Sequence, residues 1–234
     1  MSKRKLGNLI MLQYNLNPSR ISYFNCQLWK LRFSFFPFAK RLLDIAIASF
    51  ALLALSPVII LVAILIKLDS EGSVLFKQER LGLHGMPFSM WKLRSMSIDA
   101  ERKRPELDSL NDMQQGVLFK MKADPRITRI GVFIRKTSID ELPQLLNVLR
   151  GEMALVGPRP PLPSEVVHYT RNDRSRLSVL PGITCIWQIS GRSDIPFEEQ
   201  VLLDLTYIEQ QSIRMDLSVL IKTIPAVLLA RGAY

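Results

Sequence analysis

The chain has 234 residues, enough for one domain with a real core and an appended segment. Apolar residues make up 48% and charged residues 22%, which excludes a disordered or low-complexity chain. The formal charge of +10 favours an anionic partner: nucleic acid, acidic lipid or a phosphorylated substrate. The cysteines Cys26 and Cys185 and the histidines His84 and His168 are isolated from one another, so neither a disulfide framework nor a zinc site is expected.

Lys3, Arg4 and Lys5 are followed by a stretch interrupted by Asn8, Gln13, Asn15 and Asn17, which does not read as a secretory signal. Tyr23 to Phe38 mixes Trp29, Phe33, Phe35, Phe36 and Phe38 with Lys30 and Arg32, the composition of a segment lying on anionic lipid. Ile45 to Ile66 carries no charge and is apolar on every face, long enough to span a bilayer as one helix. Its flanks are both basic, however: Lys40 and Arg41 precede it, Lys67, Lys77 and Arg80 follow it, and spanning would strand one group on the wrong side. Ser56-Pro57 sits at its middle, where proline removes a backbone donor and kinks a helix. A helix that enters, bends at Ser56-Pro57 and returns to the same face satisfies both observations, with the Ser56 hydroxyl bonding a backbone group freed at the bend. Asp44, beside Lys40 and Arg41, reads as a partner in an ion pair that fixes the depth of insertion.

Composition changes at about residue 68, giving three parts: residues 1–39, a basic and aromatic interfacial segment; residues 40–68, the re-entrant helix; and residues 69–234, a mixed, domain-like part. In that domain Ser73 to Gln78 and Phe88 to Leu93 read as strands around a turn at Gly82 to Gly85. Ser97 to Asp112 reads as a helix and surface loop, and Ile127 to Arg135 as strand or short helix. Leu142, Leu145, Leu146 and Leu149 form the stripe of a helix over Ser138 to Arg150, stopped by Gly151. Its start is open between a Ser138–Glu141 capping box and a cap at Asp140, the latter favoured by Pro143. Either start puts Asp140 and Glu141 at the positive end of the helix dipole, which favours their ionised forms. Val156 to Pro161 is stiff and extended, Ser164 to Arg176 reads as a helix and Thr184 to Ile189 as a strand. Pro196 to Gln211 and Asp216 to Arg231 read as amphipathic helices, the second kinked at Pro225.

The chemistry centres on Asp140 and Glu141, next to Arg135 and Lys136, with further basic groups at Lys92 and Arg94, at Arg126 and Arg129, and at Arg159. Spaced arginines and lysines suit a diphosphate. Carboxylates in such a site repel it unless one holds a hard cation such as Mg²⁺ and the other attacks phosphorus. On these residues alone, an acidic pair at a helix N-terminus is more often a cap than a catalyst, and scattered arginines are more often a solvated or lipid-facing surface.

Four ordered blocks go further. They are Lys40-Arg41 through Asp44 to Ser56-Pro57; Phe76 to Arg80 with Trp91 to Met96; Arg135 to Gly151 continuing to Gly157-Pro158-Arg159-Pro160; and Pro181 to Thr184 through Trp187 to Ser190-Gly191-Arg192. With them, residues 39–234 resemble the bacterial sugar transferases, the monotopic polyprenyl-phosphate hexose-1-phosphate transferases that begin exopolysaccharide and lipopolysaccharide O-antigen assembly. The resemblance implies an α+β, mainly helical fold, with a re-entrant helix and interfacial helices packed under a small catalytic domain on the cytoplasmic face of the bacterial inner membrane. It implies that Asp140 attacks the β-phosphate of a UDP-sugar, UDP-glucose or UDP-galactose being favoured, releasing UMP, and that undecaprenyl phosphate then takes the sugar-phosphate. It implies Mg²⁺ on Glu141, and donor contacts from Lys92, Arg94, Arg126, Arg135, Pro158, Arg159 and Pro160. Larger members carry a four-helix bundle first, so this chain looks like a catalytic-unit form. A non-catalytic membrane scaffold and a membrane-tethered nucleic-acid-binding protein are the competing readings; no nucleic-acid motif is present, and no nucleic acid is expected as partner.

Overall fold

The computed structural model describes residues 26–100, 102, 121, 124–191 and 195–228, with side chains from residue 36 to residue 227. The sequence readings on residues 1–25, on most of 101–123, on Arg192 and on 229–234 lie outside the described residues.

Helix α1, Cys26–Asp69, runs through both Pro37 and Pro57. Phe36–Asp69 is long and apolar enough to cross a membrane, and only 11% of its most apolar window is buried in the protein, so it is not a core helix of the usual kind. Pro57 has no amide to give the Leu53 carbonyl. The Ser56 hydroxyl donates to that carbonyl instead, at 2.8 Å, and the backbone stays helical across the dipeptide.

Both ends of the apolar run are bound into the rest of the molecule. On the first half, Ala48 is fully buried in the main core with Val148, Met153, Val156, Trp187 and Val219. On the second, Val62 and Ile66 join Leu93 and Ile134 in a smaller cluster. Lys40 Nζ bonds Asp216 Oδ2 at 2.7 Å and the Val156 carbonyl at 3.1 Å, and Arg41 bonds the Val148 and Leu149 carbonyls at 2.6 and 3.0 Å. At the far end, Asp69 accepts from the Ile130 amide at 3.2 Å. Asp44 does pair with Lys40, at 3.7 Å, but it is buried against the domain, where it also accepts from the Leu155 amide.

Strands β1, Leu75–Leu81, and β2, Pro87–Leu93, form an antiparallel hairpin closed by a 3₁₀ turn at Leu83–Gly85, close to the sequence reading. Helix α2, Arg129–Lys136, resolves the strand-or-helix choice: Thr128 caps it by accepting from the Gly131 amide. Helix α3 is Gln144–Arg150, and Gly151, left-handed at φ 83°, ends it as expected. Strands β3, Ala154–Val156, and β4, Gly182–Thr184, pair in parallel. Between them lie α4, Pro163–Val166, and a 3₁₀ turn at Asp173–Ser178, where one long helix was expected. Thr170 and Asp173 explain the break, each side chain bonding the other's amide and turning the chain locally. The expected strand at Thr184 to Ile189 is also corrected: pairing stops at Thr184, and Ile186–Ser190 is helix α5. Helices α6, Phe197–Gln210, and α7, Ile213–Leu228, follow. A buried ion pair, Arg176 to Asp204 at 2.5 Å, ties the 3₁₀ turn to α6.

Candidate active site

The acidic pair does not cap a helix. Asp140 and Glu141 lie in a 3₁₀ turn, Ile139–Glu141, that precedes α3, and Ser138 before it is left-handed at φ 56° with no side-chain cap. Amides that a cap would have served are already bonded within the turn: Glu141 to the Ser138 carbonyl and Leu142 to the Ile139 carbonyl, both at 3.2 Å. The capping box and the Asp140 cap are both corrected on this ground. The carboxylates are thereby free to line a cleft of about 1670 Å³. That exceeds the several hundred to roughly 1000 Å³ of a site for one small ligand.

Across the turn stands β2. Lys92 Nζ bonds Glu141 Oε1 at 3.0 Å. Glu141 keeps 29% of its side chain accessible, whereas Asp140 is buried. The two carboxyls are driven apart in acidity. Burial raises Asp140 to about 6; the nearby Lys92 charge opposes this, the Glu141 charge adds to it, and Arg135 opposes it more weakly. For Glu141, burial also acts upward, but the Lys92 charge and hydrogen bond, then Arg159 and Arg80, outweigh it and hold the group below the usual carboxylate range. A shared helix dipole favouring both ionised forms therefore does not describe this pair.

Arg159 is half-buried on the stretch after β3, beside buried Pro158 and Pro160. The stretch is fixed through its carbonyls. Gly182 N bonds Pro158 O at 2.9 Å, Arg80 Nη1 bonds Pro160 O at 3.0 Å, and Leu81 N bonds Pro161 O at 3.0 Å. Gly157 and Gly182 permit this approach: a Cβ on Gly182 would lie 2.1 Å from the Gly157 nitrogen.

The cleft thus gathers Lys92, Arg135 and Arg159 near the acidic pair. Arg94 and Arg126 also line it, but their guanidinium groups hold the chain: Arg94 bonds Ser70 and the Glu71 carbonyl, while Arg126 bonds Asp124 at 2.6–3.2 Å and the Ala100 carbonyl at 3.2 Å. Arg80, which sequence reasoning did not assign to the site, lines the cleft while only 4% exposed, its Nε and Nη2 held by Gln78 Oε1. Burial and the adjoining Arg159 charge lower it to about 9, so it stays cationic at neutral pH. The signal was present in the strand alternation: Phe76 faces Lys92 across the hairpin, and Gln78 and Arg80 follow Phe76 at two-residue steps on that face.

Among the described residues, no three His, Cys, Asp or Glu side chains gather as a metal cluster. Two adjacent carboxylates facing a cleft nevertheless fit Mg²⁺, which takes one or two carboxylates together with substrate phosphate oxygens.

A helix long and apolar enough to cross a membrane is thus bound at both ends into a small domain whose cleft holds a carboxylate pair split in acidity among lysine and arginine side chains. The chain belongs to the bacterial sugar transferase family, whose match covers residues 35–230. It is similar to the galactosyl transferase CpsE of Streptococcus agalactiae, at 48% identity over 83% of this chain and 43% of that protein. It is similar to the exopolysaccharide production protein ExoY of Sinorhizobium fredii, at 41% identity over 84% of this chain and 88% of that protein. The undecaprenyl-phosphate galactose phosphotransferase of Salmonella typhimurium is 40% identical over 84% of this chain and 42% of that protein. The chain therefore spans less than half the length of two of these relatives and most of the third.

Proposed function

We propose that this protein transfers a hexose-1-phosphate from a UDP-hexose, UDP-glucose or UDP-galactose, to undecaprenyl phosphate, releasing UMP, as the first membrane step of exopolysaccharide or O-antigen synthesis. The observation that carries the reading is the buried Asp140 carboxylate, raised to about 6, in a cleft with Lys92, Arg135, Arg159 and Arg80. The names of the relatives agree with it. A carboxylate starved of water is a stronger nucleophile than a solvated one, and at neutral pH it is still mostly ionised. An Asp140 oxygen attacks the β-phosphorus, the bond to the UMP oxygen breaks, and UMP leaves with the electron pair. An oxygen of undecaprenyl phosphate then attacks the same phosphorus, and the Asp140 carboxylate leaves. Lys92, Arg135, Arg159 and Arg80 hold the phosphate oxygens and neutralise the charge that develops on them. Glu141, kept ionised, would hold Mg²⁺ against the diphosphate, where the ion supplies further neutralisation.

We read α1 as re-entrant. Lys40 to Asp69 is roughly 44 Å of helix at 1.5 Å per residue. A straight span would carry its ends to opposite sides of a hydrocarbon core of roughly 30 Å. Yet Lys40 and Arg41 bind the same domain that Asp69 binds, which favours both ends on one face, taken as the cytoplasmic face of the inner membrane. Accessibility reporters at the two ends of α1 test this; ends found on opposite faces would overturn it.

For the reaction, detergent-solubilised protein is given Mg²⁺, undecaprenyl phosphate and a panel of UDP-sugars, and UMP release is measured. Release is expected with UDP-glucose or UDP-galactose, absent in Asp140→Asn and severely reduced in Glu141→Gln. A fully active Asp140→Ala protein would end the proposal.

A further inference from the structure

Beside the acidic pair, the cleft is lined by the carboxylates of Asp124 and Glu165. Asp124 is spent on Arg126, at 2.6 Å. Glu165, in the first turn of α4, has no such partner and is only 7% exposed. Its Oε2 accepts from the Leu162 amide at 3.0 Å, which ties down the start of α4. Among the described residues its Oε1 receives no hydrogen bond, and no lysine or arginine forms an ion pair with it. A buried carboxylate oxygen facing a cleft wants a donor. Phosphate oxygens cannot be that donor, since they only accept. The Glu165 charge also acts on Arg80, and so weakens that cation towards phosphate. In a cleft that receives a diphosphate, Glu165 therefore serves some other part of the ligand.

The hairpin gives the direction. Lys92, bound to Glu141, stands opposite Phe76, and Arg80 lies further along β1 on the same face, roughly 13 Å away at about 3.3 Å per residue. At that end Arg80 Nη1 bonds the Pro160 carbonyl and the Leu81 amide bonds the Pro161 carbonyl, which sets the start of α4 beside Arg80 and away from the acidic pair. Attack by Asp140 on the β-phosphorus is in line with the departing UMP oxygen. The α-phosphate and its nucleoside then extend away from Asp140, while the hexose stays on the phosphorus under attack. In that direction the cleft offers Lys92 and Glu141, then Arg80 with Arg159, then Glu165. Resting on the function proposed above, we infer that Glu165 Oε1 accepts from the ribose hydroxyls of the donor's uridine and fixes the nucleoside end. Vicinal hydroxyls are the donors that a single acidic side chain reads in dinucleotide sites. Loss of those hydroxyls leaves a buried charge unpaired, which is how such a site rejects a deoxyribose.

The test is a ratio of affinities, measured by titration calorimetry on the detergent-solubilised full chain with Mg²⁺. UMP is compared with 2′,3′-dideoxy-UMP, which keeps the base and the phosphate. The unaltered protein is expected to prefer UMP by about thirtyfold, the effect of a lost hydrogen bond to a charged group. Glu165→Gln keeps an oxygen for the Leu162 amide, so the fold is spared. In that variant the preference is expected to fall to about threefold. The fall should come from weaker UMP binding, while the dideoxy compound binds as well or better, because Arg80 is relieved of an opposing charge. The ratio cancels that general gain and any loss of folded protein, so a purely structural role for Glu165 would leave it unchanged. Equal binding of the two nucleotides by the unaltered protein would overturn the inference. An undiminished ratio in Glu165→Gln would overturn it as well. So would a changed preference between UDP-glucose and UDP-galactose with the ratio intact, which would give the carboxylate to the hexose. Absence of UMP binding to the unaltered protein would instead overturn the function on which the inference rests.

Discussion

Asp140 and Glu141 are neighbours in sequence with opposite electrostatic histories, and most of the testable chemistry follows from that difference. Asp140 is held above its ordinary range by burial, so its ionised form is costly in the folded state. Its contribution to stability is therefore unfavourable at neutral pH and fades as pH falls through about 6. Asp140→Asn is expected to abolish UMP release yet raise thermal stability at pH 8, by on the order of 2 kcal/mol, with the advantage shrinking below pH 6. Melting curves of both proteins across that range check this. The pH–rate profile should rise through an apparent pKa near 6 as Asp140 ionises. Lys92 is the main influence holding that value down, so Lys92→Gln should move the limb upward as well as lower the rate. Much of this was legible from residue types: the acidic pair and the cations Lys92, Arg135 and Arg159 are where charge logic expected them. Arg94 and Arg126 look identical to these in sequence. Only the fold reveals that their guanidinium groups are spent on the chain at Ser70, Glu71, Asp124 and Ala100.

At the scale of elements, the hairpin, α6 and the Gly151 stop followed from alternation, periodicity and turn residues, whereas α2 was left open between strand and short helix. Short elements did not. Strand β4 is three residues long, and nothing local in Thr184 to Ile189 announces that pairing ends after Thr184; the partner strand β3 is simply no longer. The 3₁₀ turn at Asp140 escaped for a related reason, since a cap and a 3₁₀ turn satisfy the same amides and share the same residue preferences. Two element-level predictions follow from the close contacts. Gly182→Ala would drive a methyl group into the Gly157 backbone, which cannot yield as a side chain would. It should part β3 from β4, displace Pro158-Arg159-Pro160 and cost a few kcal/mol, read as lost thermal stability and activity together. Arg41 binds the last carbonyls of α3, the helix that follows the acidic turn. Arg41→Met should cost about 1–3 kcal/mol in a detergent melt, through the loss of charge-assisted bonds to a helix C-terminus.

At the scale of the molecule, sequence composition marks a boundary near residue 68, but packing passes through it. The faces of α1 that Ala48, Val62 and Ile66 present to the domain are as buried as any residue in it, while Phe50, Leu53, Leu61 and Leu68 on the other faces stay exposed. Hydropathy registers both sets alike and cannot tell the buried one from the exposed one, because both are apolar. This is why the segment was readable as a membrane helix but not as part of the protein core. The consequence is practical. A fragment starting after residue 68 would lose the partners of Leu93, Ile134 and Val156, and with them the ion pair at Asp216, so it should be recovered aggregated rather than as a soluble enzyme. On the function proposed above, the lipid bilayer would be not a surface to which a finished catalyst is moored but the solvent for one side of a helix whose other side completes the domain.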